Sequence, residues 1–300
     1  MNIIKFAWAI ILLTLTISAF GQDQPKEVKK IGIHDFFIYT GVSSTYYNSP
    51  TLSEFQSLAP QSELLDKNFS NYSSYLGSSG TSSGTFSAMV GLQFRDKQKT
   101  SYKKSPLLRL GLSYFSTSTI SGGLYKTDRQ AFDTLTSSQS GQLAFVDSIY
   151  SNNYSMNYSS DQLRFDASLI FRTNPEARWS IYSGIGISTG FSINAYTDIY
   201  YGNFSTTETT YANGSTSISY NTNGEDNQQS ERFKNKTNFG ASTYIPMGLD
   251  FRLANKGEFG RRIHLFYEIR PSLTFTSIPE LSTYANVGIH QGLGLRVSWM

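Results

Sequence analysis

Val287-Gly288-Ile289-His290-Gln291-Gly292-Leu293-Gly294-Leu295-Arg296-Val297-Ser298-Trp299-Met300 is the last stretch of the chain. Its odd positions run Val, Ile, Gln, Leu, Leu, Val, Trp. Its even positions as far as Ser298, with Asn286 before them, are small, polar or charged. A period of two sustained this far is a β-strand with one apolar face. In a soluble sandwich that face meets a second sheet. In a membrane barrel it meets lipid, and the polar face lines the interior.

Seven earlier segments repeat the pattern: 36–46, 85–95, 107–116, 161–172, 179–193, 238–252 and 263–275. Phe86, Ala88, Val90, Leu92 and Phe94 share one face of the second, and Leu163, Phe165, Ala167, Leu169 and Phe171 one face of the fourth. Each is long enough for the roughly 9–11 tilted residues with which a barrel strand crosses a bilayer. The connections alternate in length. Asp96–Pro106, Thr173–Arg178 and Leu253–Arg262 are turn-like, two of them carrying Asn174-Pro175 or Asn255-Lys256-Gly257. Tyr47–Gly84, Thr117–Ser160 and Asn194–Thr237 are long, and Thr276–Tyr284 is short. Short turns at one end and long loops at the other are the asymmetry of outer-membrane barrels, with the loops outside. The expectation is an all-β, transmembrane, antiparallel up-and-down barrel of eight strands. Ten strands result instead if Asn194–Tyr220 forms a further hairpin within the membrane.

Composition agrees. The chain has 20 Tyr, 21 Phe and 24 Gly but only 16% charged residues, few for a surface covered by water. A formal net charge of +3, without basic residues interleaved with aromatics, argues against nucleic acid. There is no cysteine, which excludes disulfides and thiol chemistry. Met1–Gly21 has Lys5, an apolar run from Phe6 to Ile17, and small residues at Ala19 and Gly21, the pattern of a secretory signal cleaved near Gly21. The expected organisation is therefore a signal peptide at 1–21, a periplasmic segment at 22–35 and the barrel at 36–300. Short-turn lysines and arginines (Lys97, Lys99, Lys103, Lys104, Lys256, Arg261, Arg262) face mildly acidic long loops.

With these strands, the Ile245-Pro246-Met247-Gly248-Leu249 segment and the Gly292-Leu293-Gly294-Leu295-Arg296-Val297 terminus, the chain resembles the small outer-membrane β-barrel proteins of Bacteroidetes-type bacteria. It departs from them in placing Trp299 next to last, before Met300, where such barrels usually end on an aromatic residue. The resemblance implies surroundings of outer-membrane lipid and lipopolysaccharide and insertion by the barrel-assembly machinery. It specifies a fold rather than an activity.

Alternation turns a set of charges inward: Arg95, Arg109, Arg164, Asp166, Arg172, Asp250, Arg252, His264, Glu268, Arg270, His290 and Arg296. Eight strands enclose a space that side chains can fill, and buried charges must then be paired. The expectation is a salt-bridged plug; the alternative is a narrow porin-like channel for small or hydrophobic solutes, or an anion-favouring lumen, because inward arginines outnumber carboxylates. His264, Glu268 and His290 raise a second alternative, a lipid- or peptide-cleaving barrel. Such chemistry needs a nucleophile, a base and an orienting group at one accessible spot, and neither histidine stands next to an exposed serine. His34 falls before the barrel and is expected to be solvated. No metal spacing and no cofactor motif is present, so catalytic, cofactor and metal sites are all read as none.

The long loops are rich in Tyr, Ser, Thr, Asn and Gly, a composition suited to binding and equally to strands that continue beyond the bilayer. Leu52, Phe55 and Leu58, then Leu64 and Leu65, predict short helical pieces broken at Pro60, placed to cap the mouth or meet a partner. Asp133-Thr134-Leu135 and Asp147-Ser148-Ile149 resemble the Asp-Ser/Thr-apolar acceptor of O-glycosylation in the same type of envelope. The functional expectation is a structural, surface-binding or envelope-complex protein acting through its loops, not an enzyme.

Overall fold

The computed structural model describes residues 31–46, 50–75, 81–94, 106–173, 177–220, 227–255 and 257–299. The expected signal peptide, most of the first short turn and Arg95 lie outside these residues. The strands are β1 (Ile31–Tyr46), β2 (Ser73–Tyr75), β3 (Thr81–Phe94), β4 (Leu107–Thr136), β5 (Leu143–Arg172), β6 (Trp179–Tyr211), β7 (Thr216–Tyr220), β8 (Gln228–Lys234), β9 (Phe239–Tyr244), β10 (Met247–Arg252), β11 (Ile263–Ser277) and β12 (Thr283–Ser298). Two short helices join them, α1 (Leu52–Leu58) and α2 (Glu258–Arg262).

Antiparallel pairing runs β1–β3–β4–β5–β6, passes through β9 and β10 to β11 and β12, and returns to β1. The closing seam is long, from Asp35 opposite Ser298 to Tyr46 opposite Val287. β9 and β10 are one stave, since both pair with β6 on one side and β11 on the other. The break falls at Ile245-Pro246, where proline has no N–H to give the ladder. Eight staves therefore make the ring, and closure removes every sheet edge at this level. The hairpin considered as strands nine and ten exists, but β7 pairs only with the far end of β6, Thr206–Thr210, outside the ring.

Side chains alternate as the terminal stretch predicts. Val287, Ile289, Leu293, Leu295 and Trp299 are exposed, while Asn286, Arg296 and Ser298 are buried. On β6, Trp179, Ile181, Ile185, Ile187 and Phe191 face outward and Ser180, Tyr182 and Ser188 inward. Large inward rings are accommodated by glycine on the facing strand. Gly186 lies opposite Tyr244, Gly248 opposite Tyr182 and Gly294 opposite Phe266. A Cβ on Gly186 or Gly294 would stand 2.2 Å from the facing ring, so no other residue fits beneath it.

β1 begins at Ile31, five residues before the expected start. A register shift between Ile33 and Asp35 changes which face is inward: Ile33 is exposed, whereas Asp35, Phe37 and Tyr39 are buried. His34, expected to be solvated, is thus part of the strand, with Nδ1 3.0 Å from Asp35 Oδ2.

The second long loop is not a loop. β4 and β5 stay paired far past the barrel, to Thr136 opposite Leu143, and β6 follows them. The tip turns through Gly141 at φ 68°, with Ser137 and Gln142 hydrogen-bonded across it. From Thr117 to the tip this blade extends roughly 60 Å at about 3.3 Å per residue. At its base the first long loop folds against its inner face. Phe55, Leu58, Ala59, Leu64 and Leu65 pack with Ile120, Leu124, Tyr154, Met156, Tyr158 and Ile199. α1 starts at a capping box formed by Thr51 and Glu54. Leu64 and Leu65 are buried in irregular chain, where the apolar spacing predicts a second helical piece.

Candidate functional site

The interior is the place where most of the charged chemistry predicted from sequence comes together. It has two layers of charge separated by rings.

In the layer nearer the blade, Glu268 is the hub. Arg109 donates to both its oxygens, at 2.8 and 3.2 Å, and to Ser168 Oγ at 3.0 Å. Tyr182 donates to Glu268 Oε2 at 2.6 Å, and Arg270 donates to Oε1. Asp166 accepts from Tyr244 Oη at 2.5 Å, and Arg270 Nη1 lies 3.6 Å from it. Arg164 is different. It donates to Gln162 Oε1 at 2.6 Å and Ser242 Oγ at 3.3 Å and lies over the Phe115 ring at 4.9 Å, with no carboxylate in ion-pair contact among the described residues.

Toward the short-turn end, Asp250 is the hub. Arg296 Nε is 2.9 Å from its Oδ2, and Nη1 reaches Asp35 Oδ1 at 3.1 Å. His264 Nδ1 is 2.7 Å from Asp250 Oδ1 and 2.6 Å from Arg296 Nη2, and Arg172 Nη2 is 3.6 Å from Asp250. Between the layers, Phe37, Tyr39, Met89, Ile170, Tyr182 and Phe266 form an apolar cluster. Arg109 lies 5.5 Å from the Phe37 ring centre and Arg270 4.4 Å from that of Tyr39.

Alternation thus locates Arg109, Arg164, Asp166, Asp250, His264, Glu268, Arg270 and Arg296, all buried. Arg252 bonds outward to Asn255 of the turn at 3.2 Å. His264, Glu268 and His290 are not brought together: the first belongs to the Asp250 cluster, the second to the Arg109 cluster, and the third packs on Phe115 at 5.5 Å. Among the described residues no group of His, Cys, Asp and Glu is placed to hold a metal. Sequence reading missed Asp35, which falls in the expected periplasmic segment before the first strand, and the tyrosines Tyr39, Tyr182 and Tyr244, which look like lipid-facing aromatics until their parity is counted.

The mouth is closed by the first loop, held on three sides. Glu231 of β8 accepts from the Glu63 and Leu64 amides at 3.2 and 3.3 Å and from Ser62 Oγ. Asn235 Nδ2 donates to Leu58 O at 2.7 Å. Tyr284 Oη donates to Glu54. Burial opposes the Glu54 charge, but bonds from Tyr284 and Thr51 outweigh it and hold the carboxyl below its usual range. Burial, and then the neighbouring Glu54, push the Tyr284 phenol up to about 12.

The blade beyond the mouth exposes Phe132, Leu143, Phe145, Phe204, Ile218 and Tyr220, with Phe132 and Tyr220 at 73%. Leu143 and Phe145 continue the outward parity of β5. Beside them Arg129 bridges Asp147 at 2.7 Å and Glu208 at 2.6 Å. Of the two glycosylation candidates, Thr134 is exposed near the tip and Ser148 is buried.

No family model matches this chain, and no curated protein matches it in sequence. Among solved structures it is similar to Neisserial surface protein A, at 12% identity and a TM-score of 0.29, over 88% of this chain and 97% of that one. It is also similar to Ail, the attachment invasion locus protein of Yersinia pestis, at 12% identity and a TM-score of 0.22, over 88% and 99%. The translocator domain of the autotransporter NalP from Neisseria meningitidis gives 9% and 0.17, over 97% and 96%.

Proposed function

We propose that the chain is an integral outer-membrane barrel with a sealed lumen, and that it works as a surface-binding or envelope-complex protein through its blade. The observation that carries this reading is the joining of a filled barrel to a long projecting sheet that exposes apolar side chains such as Phe132, Phe145, Ile218 and Tyr220. The outer belt supports membrane insertion. Trp179 and Phe191, aromatic residues of one outward row on β6, lie roughly 40 Å apart along the strand at about 3.3 Å per residue. At the usual tilt of ~45° this leaves about 28 Å, close to the ~25 Å band of outer-membrane barrels flanked by aromatic girdles. Trp179 stacks near Phe251 at 4.3 Å and Phe191 near Phe239 at 5.4 Å, one pair toward each end. Lipid and lipopolysaccharide are then the barrel's lateral partners, the assembly machinery inserts it, and Met1–Gly21 directs its export.

The lumen supports anchoring rather than passage. Two ion-pair layers and an aromatic layer occupy the bore, and the first loop covers the mouth. The blade supports binding: Phe145, Ile218 and Tyr220 lie beyond the belt, where neither lipid tails nor the barrel cover them. These exposed apolar side chains, set among the Arg129, Asp147 and Glu208 charges, are the ones we assign to contact with another molecule. The test is purification from native outer membranes in mild detergent, comparing the wild type with a Phe145→Ser/Ile218→Ser/Tyr220→Ser triple variant. The reading expects a stoichiometric companion protein that the triple variant loses while still folding. A wild type that purifies alone, or a companion retained by the variant, overturns it.

A further inference from the structure

Between Glu268 and the mouth the bore holds a small cavity of about 10 Å³, lined by Tyr39, Thr85, Phe115, Asp166, Arg270 and His290 among others. Four lining residues carry buried polar atoms without a hydrogen-bond partner: Tyr39 Oη, Thr85 Oγ1, Arg270 Nη2 and His290 Nδ1. Tyr39 is fully buried, Arg270 is 3% exposed and Thr85 5%. Buried polar groups normally find partners, so four at one cavity require an explanation. Three of them, the two hydroxyls and the guanidinium nitrogen, can donate, and imidazole can donate from whichever nitrogen carries its proton.

The charge around the cavity points the same way. This layer contains three guanidinium groups, Arg109, Arg164 and Arg270, and two carboxylates, Asp166 and Glu268. Glu268 is used by Arg109 and Arg270, and Asp166 by Arg270 and Tyr244. Arg164 is left with neutral partners, Gln162 and Ser242, and the latter also lines the cavity. A buried cation whose direct partners are all neutral is costly. Among the described residues the layer near the turns has no such surplus: Arg172 and Arg296 meet Asp35 and Asp250.

From the convergent donors and the surplus positive charge, we infer that the cavity is a binding site for a single monatomic anion of the halide class. Its volume is that of about one water-sized sphere, which excludes phosphate, sulfate and carboxylate ligands. The anion accepts from Tyr39, Thr85 and Arg270 and balances Arg164 without contacting it. Such an anion is an integral part of the plug, and this inference stands whether or not the blade binds a partner.

The full chain, refolded in detergent and crystallised from sodium bromide, tests the site. An anomalous bromine peak within hydrogen-bond distance of Tyr39 Oη, Thr85 Oγ1 and Arg270 Nη2 is expected. Water-sized density without anomalous signal there, or bromide only at the surface, overturns the inference. In parallel, the unfolding midpoint should rise with bromide or chloride relative to gluconate at equal ionic strength, because a ligand of the folded state stabilises it by mass action. Tyr39→Phe/Thr85→Val should abolish that anion dependence. Equal midpoints for the wild type in all three anions contradict the site, and this readout does not depend on the variant folding.

Discussion

Glu268 shows what a single residue contributes here. It accepts from Arg109, Arg270 and Tyr182 at full burial. Glu268→Gln removes the negative charge and leaves two guanidinium groups facing a neutral amide. Breaking a buried pair in this way costs about 3–5 kcal/mol. A urea titration of the refolded barrel, followed by the gel shift between folded and unfolded forms, should show the midpoint falling. An unchanged midpoint would mean that the network adds nothing. Gly294→Val tests the other half of the packing, since a side chain there meets the Phe266 ring. It should lower the folded fraction, while Leu293→Val on the outward face should be nearly neutral. Parity alone made most of the network legible, because an inward charge on a period-two strand has nowhere else to go. It did not reveal Asp35, because the irregularity after Ile33 breaks the alternation there and leaves Asp35 outside the expected strand. The inward tyrosines were obscured for another reason: a ring with a hydroxyl suits lipid interface and polar lumen alike.

At the scale of elements, the first loop is a lid built on α1 and latched by Glu54 and Tyr284. Glu54 titrates below its ordinary 4.5 in the closed state, so its share of the latch is present above that value and is lost as pH falls through the lowered one. Tyr284 titrates near 12, above its ordinary 10.0, so its share is present below 10.0 and is lost as pH rises through about 12. Proteolysis or amide exchange of residues 52–72 should therefore show protection from about pH 5 to pH 10 that declines on either side. Protection that is flat across the acid limb would remove Glu54 from the latch. Apolar spacing disclosed α1, since Leu52, Phe55 and Leu58 form one helical stripe, but it could not say where the stripe docks. That depends on Ile120, Tyr154 and Ile199, residues of the extended strands. The blade was legible only in part: Ser, Thr, Asn and Tyr read equally as loop and as polar ribbon, and the register of distant strands decides between them. Its structure bears on modification. Thr134 is exposed near the tip and Ser148 buried against neighbouring strands, so peptide mapping by mass spectrometry should locate any glycan at Thr134. A glycan at Ser148 would require the blade to open there.

For the whole molecule, one stretch of alternation decides the class of fold and the closing seam confirms it, β12 meeting β1 from Asp35–Ser298 to Tyr46–Val287. The rest follows from having eight staves. A bore this narrow is filled by side chains, the charges inside it must be paired, and the extra length of β4, β5 and β6 projects beyond the ring. Function is correspondingly less legible than fold, because alternation assigns side chains to faces but does not say what meets a face. Single-channel recording of the refolded protein in planar bilayers tests the sealed lumen most directly. Neither the wild type nor a variant lacking residues 52–72 should produce discrete conductance steps, since the ion-pair layers fill the bore beneath the lid. Stable, uniform steps from either protein would contradict a plugged barrel and make this chain a channel.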